Sequence, residues 1–225
     1  MTGGFTHFAA LRIAWADAAA STDPPVEVLH GLGPTQVHRY RALQADAARR
    51  FLVGRALLVS VIEEMTSAED LTLSTFCERC GGDHGRPRLE RAPVAVSISY
   101  AGTMVAVAAG LHVDAVAVGV DLEVLPAGGA SQPLHTLDRL FLPHSPPDTA
   151  GWSLIEAAVK ADGRGLTIDP ADVVVGDVGT GTSPRWRAVR IPGRLDPVDA
   201  AVASGPPGFV LSAAMVPAAG ERHPA

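Results

Sequence analysis

Ala115-Val116-Ala117-Val118-Gly119-Val120-Asp121-Leu122-Glu123 is the stretch on which the reading of the fold turns. It is an apolar run that predicts a strand, and it ends in two carboxylates spaced i, i+2. Residues two apart on a strand point to one face, so Asp121 and Glu123 share a side. Further on, Trp152-Ser153-Leu154-Ile155-Glu156-Ala157-Ala158-Val159-Lys160 reads as a helix, which puts Glu156 and Lys160 on one face. Lys160 is the only lysine among 18 basic residues; the rest are arginine. Two carboxylates at a strand end, with a carboxylate and an ammonium on a helix, are the components of a metal–phosphate site. Taken alone, Asp121 and Glu123 read as the solvent-facing end of an edge strand. Glu156 and Lys160 alone read as a surface pair worth about 0.2–0.5 kcal/mol. Their conjunction favours the site.

Outward from this stretch, the chain divides in two. From Gln36 to Met65 apolar residues recur at three- and four-residue steps, which predicts one helix. Residues 71–76 alternate like a strand, and 77–88 form a loop rich in glycine and charge. Residues 94–100 and 104–109 predict a hairpin around Ala101-Gly102-Thr103. The order then repeats: helices at 134–140 and 152–162, and strands at 172–175, 185–190 and 209–215. Residues 200–208 predict a loop, and the segment after Val216 a disordered tail. Helix-then-strands occurring twice predicts two α+β halves, 1–125 and 126–225, packed as one unit. The Asp121 strand falls near their junction, where ligand clefts commonly form.

Composition bounds the function. A net charge of −6 argues against nucleic-acid binding, and no apolar run reaches a membrane span. The opening Met1–His7 has neither the basic nor the apolar region of a signal peptide, and Cys77 and Cys80 are too close to form a structural framework. The expected location is cytoplasmic. Arginine is concentrated at 39, 41, 49, 50 and 55 and again at 79, 86, 88 and 91. Its planar fork suits phosphate, although a solvated helix face reads the same way. Cys77-x-x-Cys80 with His84 resembles half a zinc site. Closed structural sites need four ligands, and the neighbouring sequence offers no convincing fourth; His84 alone reads as a turn residue.

Several stretches together resemble surfactin-synthetase-type 4′-phosphopantetheinyl transferases. Gly119-Val120-Asp121-Leu122-Glu123 with Trp152-Ser153-x-x-Glu156-Ala157-x-x-Lys160 is similar to that family's paired signature. His84-Gly85-Arg86-Pro87 resembles its His-Gly-Lys/Arg-Pro loop, Ser99-Tyr100 its Ser-His strand end, and Gly163-Arg164-Gly165-Leu166 the Gly-x-Gly-Leu after its signature helix. The likeness runs in consistent order from about Arg49 to Asp177.

The resemblance implies a pseudo-twofold pair of α+β halves with coenzyme A in the cleft between them. It implies transfer of the phosphopantetheine arm to a serine of an acyl or peptidyl carrier protein by a monomer, releasing 3′,5′-ADP. Asp121, Glu123 and Glu156 match the Mg²⁺ carboxylates, and Lys160 matches the lysine on the phosphates. Glu156, or a water held by the metal, is the implied acceptor of the serine proton. Arg50 and Arg86 match the nucleotide end of coenzyme A, Gly85-Arg86-Pro87 a turn near the adenine, and Ser99 and Tyr100 the phosphate neighbourhood.

Two residues depart from the pattern. Ile155 stands where the family carries lysine, and Tyr100 where it carries histidine. Each removes a cationic contact and feeds the alternative of a weakened relative that binds coenzyme A or a carrier without efficient turnover. The spacing of Ile155 from Trp152 and Val159 favours packing in the interior over a lost phosphate contact.

Overall fold

Residues 3–126, 128, 134–178 and 185–219 are described by a computed structural model, and the account of the fold concerns these. The strands are β1 (Gly3–Phe8), β2 (Leu11–Asp17), β3 (Leu73–Ser74), β4 (Arg88–Leu89), β5 (Val94–Ala101), β6 (Met104–Leu111), β7 (Ala115–Val124), β8 (Val174–Val178), β9 (Arg187–Arg190), β10 (Val198–Ala203) and β11 (Phe209–Pro217). The helices are α1 (Val28–Gly31), α2 (Pro34–Arg41), α3 (Ala45–Glu63), α4 (Asp138–Phe141) and α5 (Thr149–Asp162).

The class is α+β with two antiparallel sheets, ordered β1-β2-β6-β5-β4-β3 and β7-β11-β10-β9-β8. In each sheet the strand before the long helix lies beside the last strand: β2 beside β6, and β7 beside β11. Three cores fill the spaces. Val53, Leu57, Leu58, Val61 and Ile62 of α3 cover one face of the first sheet through Val94, Val96, Val105 and Val107. The sheets meet each other through Ala106 and Ala108 against Val118, Val120, Leu122 and Leu211. Leu154, Ile155, Ala158 and Val159 of α5 cover the far face of the second sheet through Val189, Val198, Ala200 and Ala214. The result is four layers, helix–sheet–sheet–helix. It explains why β6 and β7 read as nearly unbroken apolar runs: each has a covered face on both sides.

Several expectations are corrected. β7 hydrogen-bonds to β11, so the chain passes from the first sheet to the second at residues 112–114. The expected helix from Gln36 to Met65 is broken at residues 42–44, where Gln44 is extended and Leu43 turns into a small cluster with Leu29, Phe51 and Leu52. The strand expected at 71–76 shortens to Leu73–Ser74. Residues 200–208 are not simply a loop, because Val198–Ala203 is the strand between β9 and β11. Its alanines carry little strand propensity but leave room for α5. The N-terminal hairpin β1–β2 was not expected. β11 continues to Pro217, and the end of the expected tail, 220–225, lies outside the described residues.

Gly119 sets the distance between α5 and β7. A Cβ there would run into the Ala157 carbonyl and crowd the Ala161 amide, so the helix rests on bare backbone. Gly119→Ala should therefore push α5 off the sheet and cost roughly 1–3 kcal/mol, or more if the helix cannot move. Thermal or urea unfolding measures this, and a variant as stable as the wild type would contradict the close approach.

Candidate functional site

Where α5 crosses β7, the two sequence blocks meet. β7 is the outer strand of its sheet, so among the described residues one edge has no strand partner. Serines of β5 satisfy that edge. The Val120 N–H donates to Ser97 Oγ at 3.1 Å, and the Leu122 N–H to Ser99 Oγ at 3.2 Å. Buried backbone donors need partners, and two hydroxyls at i, i+2 spacing match two amides at the same spacing.

Lys160 closes over this edge from α5. Its Nζ donates to Asp121 Oδ1 at 2.6 Å, to Ser99 Oγ at 3.1 Å and to the Val120 carbonyl at 3.2 Å. All three N–H bonds of the ammonium are thereby used. Ser99 Oγ donates to the same Asp121 Oδ1 at 3.1 Å. The other oxygen, Asp121 Oδ2, is buried and accepts no hydrogen bond among the described residues. The lysine is thus paired with Asp121 across the fold rather than with its helical neighbour Glu156.

Glu123 and Glu156 complete an acidic group. Glu123 has its pKa raised to about 7, first by burial and then by the charge of Asp121, against the pull of Lys160 and a hydrogen bond from the Trp152 indole. Glu156 is also raised, by burial and by Asp121, with Lys160 opposing. Three carboxylates therefore share one ammonium. Their oxygens do not all come within 4.8 Å of one another; among the described residues, Cys77, Cys80 and His84 do so. The donor set nevertheless suits a hard divalent cation. Among the described residues Asp121 Oδ2 is buried without a hydrogen bond, and Glu123 and Glu156 keep raised pKa values in spite of Lys160, which a cation would offset.

The helix that delivers Glu156 and Lys160 is sharply bounded. Asp148 caps its start by accepting from the Gly151 N–H at 2.7 Å, which begins α5 three residues earlier than the sequence suggests. Gly163 ends it in the left-handed conformation, φ 91°. Arg86 lies against that glycine and donates to the Ala161 carbonyl at 3.0 Å, so the loop of the first half reaches the end of α5. Burial lowers the Arg86 pKa, with Arg88 adding to the effect. Beside it, Asp162 accepts from Arg164 at 2.7 Å and from Arg194 at 3.5 Å. Burial opposes the ionisation of Asp162, yet the Arg164 hydrogen bonds and charge keep its pKa below the ordinary value.

The remaining candidates lie elsewhere. Ser99 and Tyr100 are adjacent on a strand and so face opposite ways. Ser99 faces β7, while the Tyr100 hydroxyl accepts from Arg55 Nη1 at 3.1 Å on the α3 side. Arg50 donates to the Gly102 carbonyl at 2.6 Å, in the turn between β5 and β6. Among the described residues neither Arg50 nor Tyr100 bonds to the carboxylates or to Lys160. The Gly85 N–H anchors its loop to the Thr75 carbonyl at 2.7 Å, and Arg86-Pro87 leads from there into β4. Much of the expected arginine surface has protein partners. Arg49 pairs with Asp23, Arg88 with Glu78 and Arg91 with Asp70. Arg55 is buried over the Phe51 ring at 4.1 Å and bonds Gln36.

Sequence reasoning missed Ser97, the Trp152 indole, Arg164 and Arg194 as members of this neighbourhood. The Ser97-x-Ser99 spacing was an available signal, as were the places of Trp152 and Arg164 within the stretches that resemble the family. Ile155 is 4 % exposed within the α5 core, so it packs and presents no phosphate contact. The chain matches no family model and no curated protein.

Two outcomes follow. Ile155→Lys places an unpaired ammonium in the core and should cost roughly 3–5 kcal/mol, read by chemical denaturation; a stable variant would show that the helix can turn this position outward. The second concerns pH. Glu123 keeps its proton to about pH 7 when folded, whereas the ordinary carboxyl value is 4.5. The folded state thus binds more protons across that window, so this group's contribution to stability falls as pH rises through it and stays low above it. Glu123→Gln should flatten the decline in Tm between about pH 5 and about pH 8, and a divalent cation should raise the wild-type Tm most at the upper pH.

Proposed function

We propose that this chain transfers the 4′-phosphopantetheine arm of coenzyme A to a serine of an acyl or peptidyl carrier protein, releasing 3′,5′-ADP. The observation that carries the reading is the meeting of Asp121, Glu123, Glu156 and Lys160 across β7 and α5, brought together from separate parts of the sequence. The shared strand order of the two sheets supports a pseudo-twofold pair of halves, with the substrate cleft at the seam of β5, β7 and α5. A monomer in the cytoplasm is the accompanying expectation.

In this reading Asp121, Glu123 and Glu156 would hold magnesium, which when bound would offset the charge of the pyrophosphate and of the departing 5′-phosphate of 3′,5′-ADP. Lys160 exchanges part of its bonding to Asp121, Ser99 and Val120 for a phosphate oxygen, and its side chain is 30 % exposed, enough to be reached. A compact ammonium with three rotatable donors can follow charge as it moves. Ser99 keeps Lys160 and Asp121 in register. Glu156, made more basic by burial, accepts the serine proton. Trp152 holds Glu123 in orientation through its indole. Arg86, with Arg164 and Arg194 around Asp162, supplies the positive end of the site for the nucleotide phosphate, and Gly85 and Pro87 shape the turn that carries it. Arg50, near the end of β5, is the more distant nucleotide contact.

A second reading has its own observation. Ile155 sits in the core and Tyr100 faces α3, so neither replaces the cation its position carries in the family it resembles. A relative that binds coenzyme A or a carrier without efficient turnover would look like this.

One assay separates them: incubate the chain with coenzyme A, Mg²⁺ and an apo carrier protein, and weigh the carrier. The transferase reading expects the carrier to gain one phosphopantetheine, and chelation or Asp121→Asn to stop the gain. Lys160→Ala should lower kcat/KM roughly 10- to 100-fold, the equivalent of one charge-assisted hydrogen bond of about 1.5–3 kcal/mol. An unchanged carrier with calorimetric binding of coenzyme A supports the second reading. Neither transfer nor binding would sink both.

A further inference from the structure

The loop between β3 and β4 carries three soft ligands that the transfer reading does not use. Cys77, Cys80 and His84 offer ligand atoms that all lie within 4.8 Å of one another. Cys80 Sγ and His84 Nε2 are 2.8 Å apart. The backbone builds this arrangement rather than chance side-chain placement. The Gly81 N–H donates to the Cys77 carbonyl at 2.8 Å, the Cys77 N–H donates to the Gly82 carbonyl at 2.8 Å, and Gly81 turns at φ 73°. Cys-x-x-Cys-Gly thus doubles back on itself, and the backbone N–H groups of Cys80 and Arg79 reach the Cys77 sulfur. Such bonds favour the thiolate, the form in which cysteine binds metal. The knuckle is tied down at both flanks, by Arg39 Nη1 donating to the Asp83 carbonyl at 2.8 Å and by the Gly85–Thr75 bond at 2.7 Å.

We propose that Cys77, Cys80 and His84 bind one zinc ion, with water completing the tetrahedron. Two thiolates and an imidazole are soft and borderline donors, which select zinc over the hard cations that suit the carboxylates near Lys160. Their two negative charges match the dication, and binding releases the two thiol protons. Cys80 and His84 are both exposed, so the fourth position faces solvent. Three protein ligands with an open fourth position is an established zinc arrangement. The expected missing fourth ligand is therefore not an obstacle. The ion would clip the loop that presents Arg86 to the end of α5, yet the site stands whether or not the chain transfers phosphopantetheine.

The test uses the full chain, reduced, incubated with zinc sulfate, passed through gel filtration and assayed by inductively coupled plasma mass spectrometry. About one zinc per chain is expected. Cys80→Ser and His84→Ala should each weaken zinc binding in a dye competition by at least about tenfold, with unchanged far-ultraviolet circular dichroism. Cobalt(II) added instead should give a thiolate charge-transfer band that Cys80→Ser diminishes. A reduced chain that retains no zinc overturns the proposal. So does a His84→Ala variant with wild-type affinity, or a Cys77–Cys80 disulfide as the only stable product of the loop.

Discussion

The close approach of α5 to β7 at Gly119 is the contact on which the rest depends. A helix seated on bare strand backbone sits deeper than one held off by side chains, and the Ala157 carbonyl lies where any Cβ would be. Seated there, α5 presents Glu156 and Lys160 beside the outer edge of β7. The same depth buries Leu154, Ile155 and Val159 against the second sheet. One steric fact therefore sets both the core of the second half and the position of its charges.

Charge is not balanced at the site that results. Lys160 directs all its donors inward, to Asp121, Ser99 and the Val120 carbonyl. That leaves Glu123 and Glu156 raised by burial and repulsion, and one Asp121 oxygen without a donor. Structural ion pairs usually satisfy their members; a surplus of partly buried carboxylate is costly and is characteristic of places that meet a cation or move a proton. The opposite imbalance sits at the end of α5, where Arg164 and Arg194 share Asp162 and Arg86 donates to the neighbouring Ala161 carbonyl.

Part of this was legible because the signals were local. The β5–β6 hairpin around Gly102 and the strand to Glu123 each follow from a few neighbouring residues. β10 was not legible, since Val198-Asp199-Ala200-Ala201-Val202-Ala203 is too rich in alanine to announce a strand; only its place between β9 and β11 makes it one. The break at Gln44 was equally hidden, because the apolar spacing runs on through it. Arginine was misleading for a related reason. Arg55 reads like its neighbours, yet Phe51, Gln36 and Tyr100 enclose it.

The sequence by itself determined the helical character of the run that carries Glu156 and Lys160, the side shared by Asp121 and Glu123, and the interior character of Ile155. All three are consequences of spacing within one element. Only the tertiary structure decided that β7 belongs to the second sheet, that Lys160 pairs with Asp121 instead of Glu156, and that Ser99 and Tyr100 serve different faces. These depend on which surfaces meet, and distance along the chain carries no information about that. The knuckle at Cys77 and Cys80 lies between the two cases: its cysteines are visible in the sequence, but its backbone bonds to Gly82 and the nearness of His84 are properties of the folded loop.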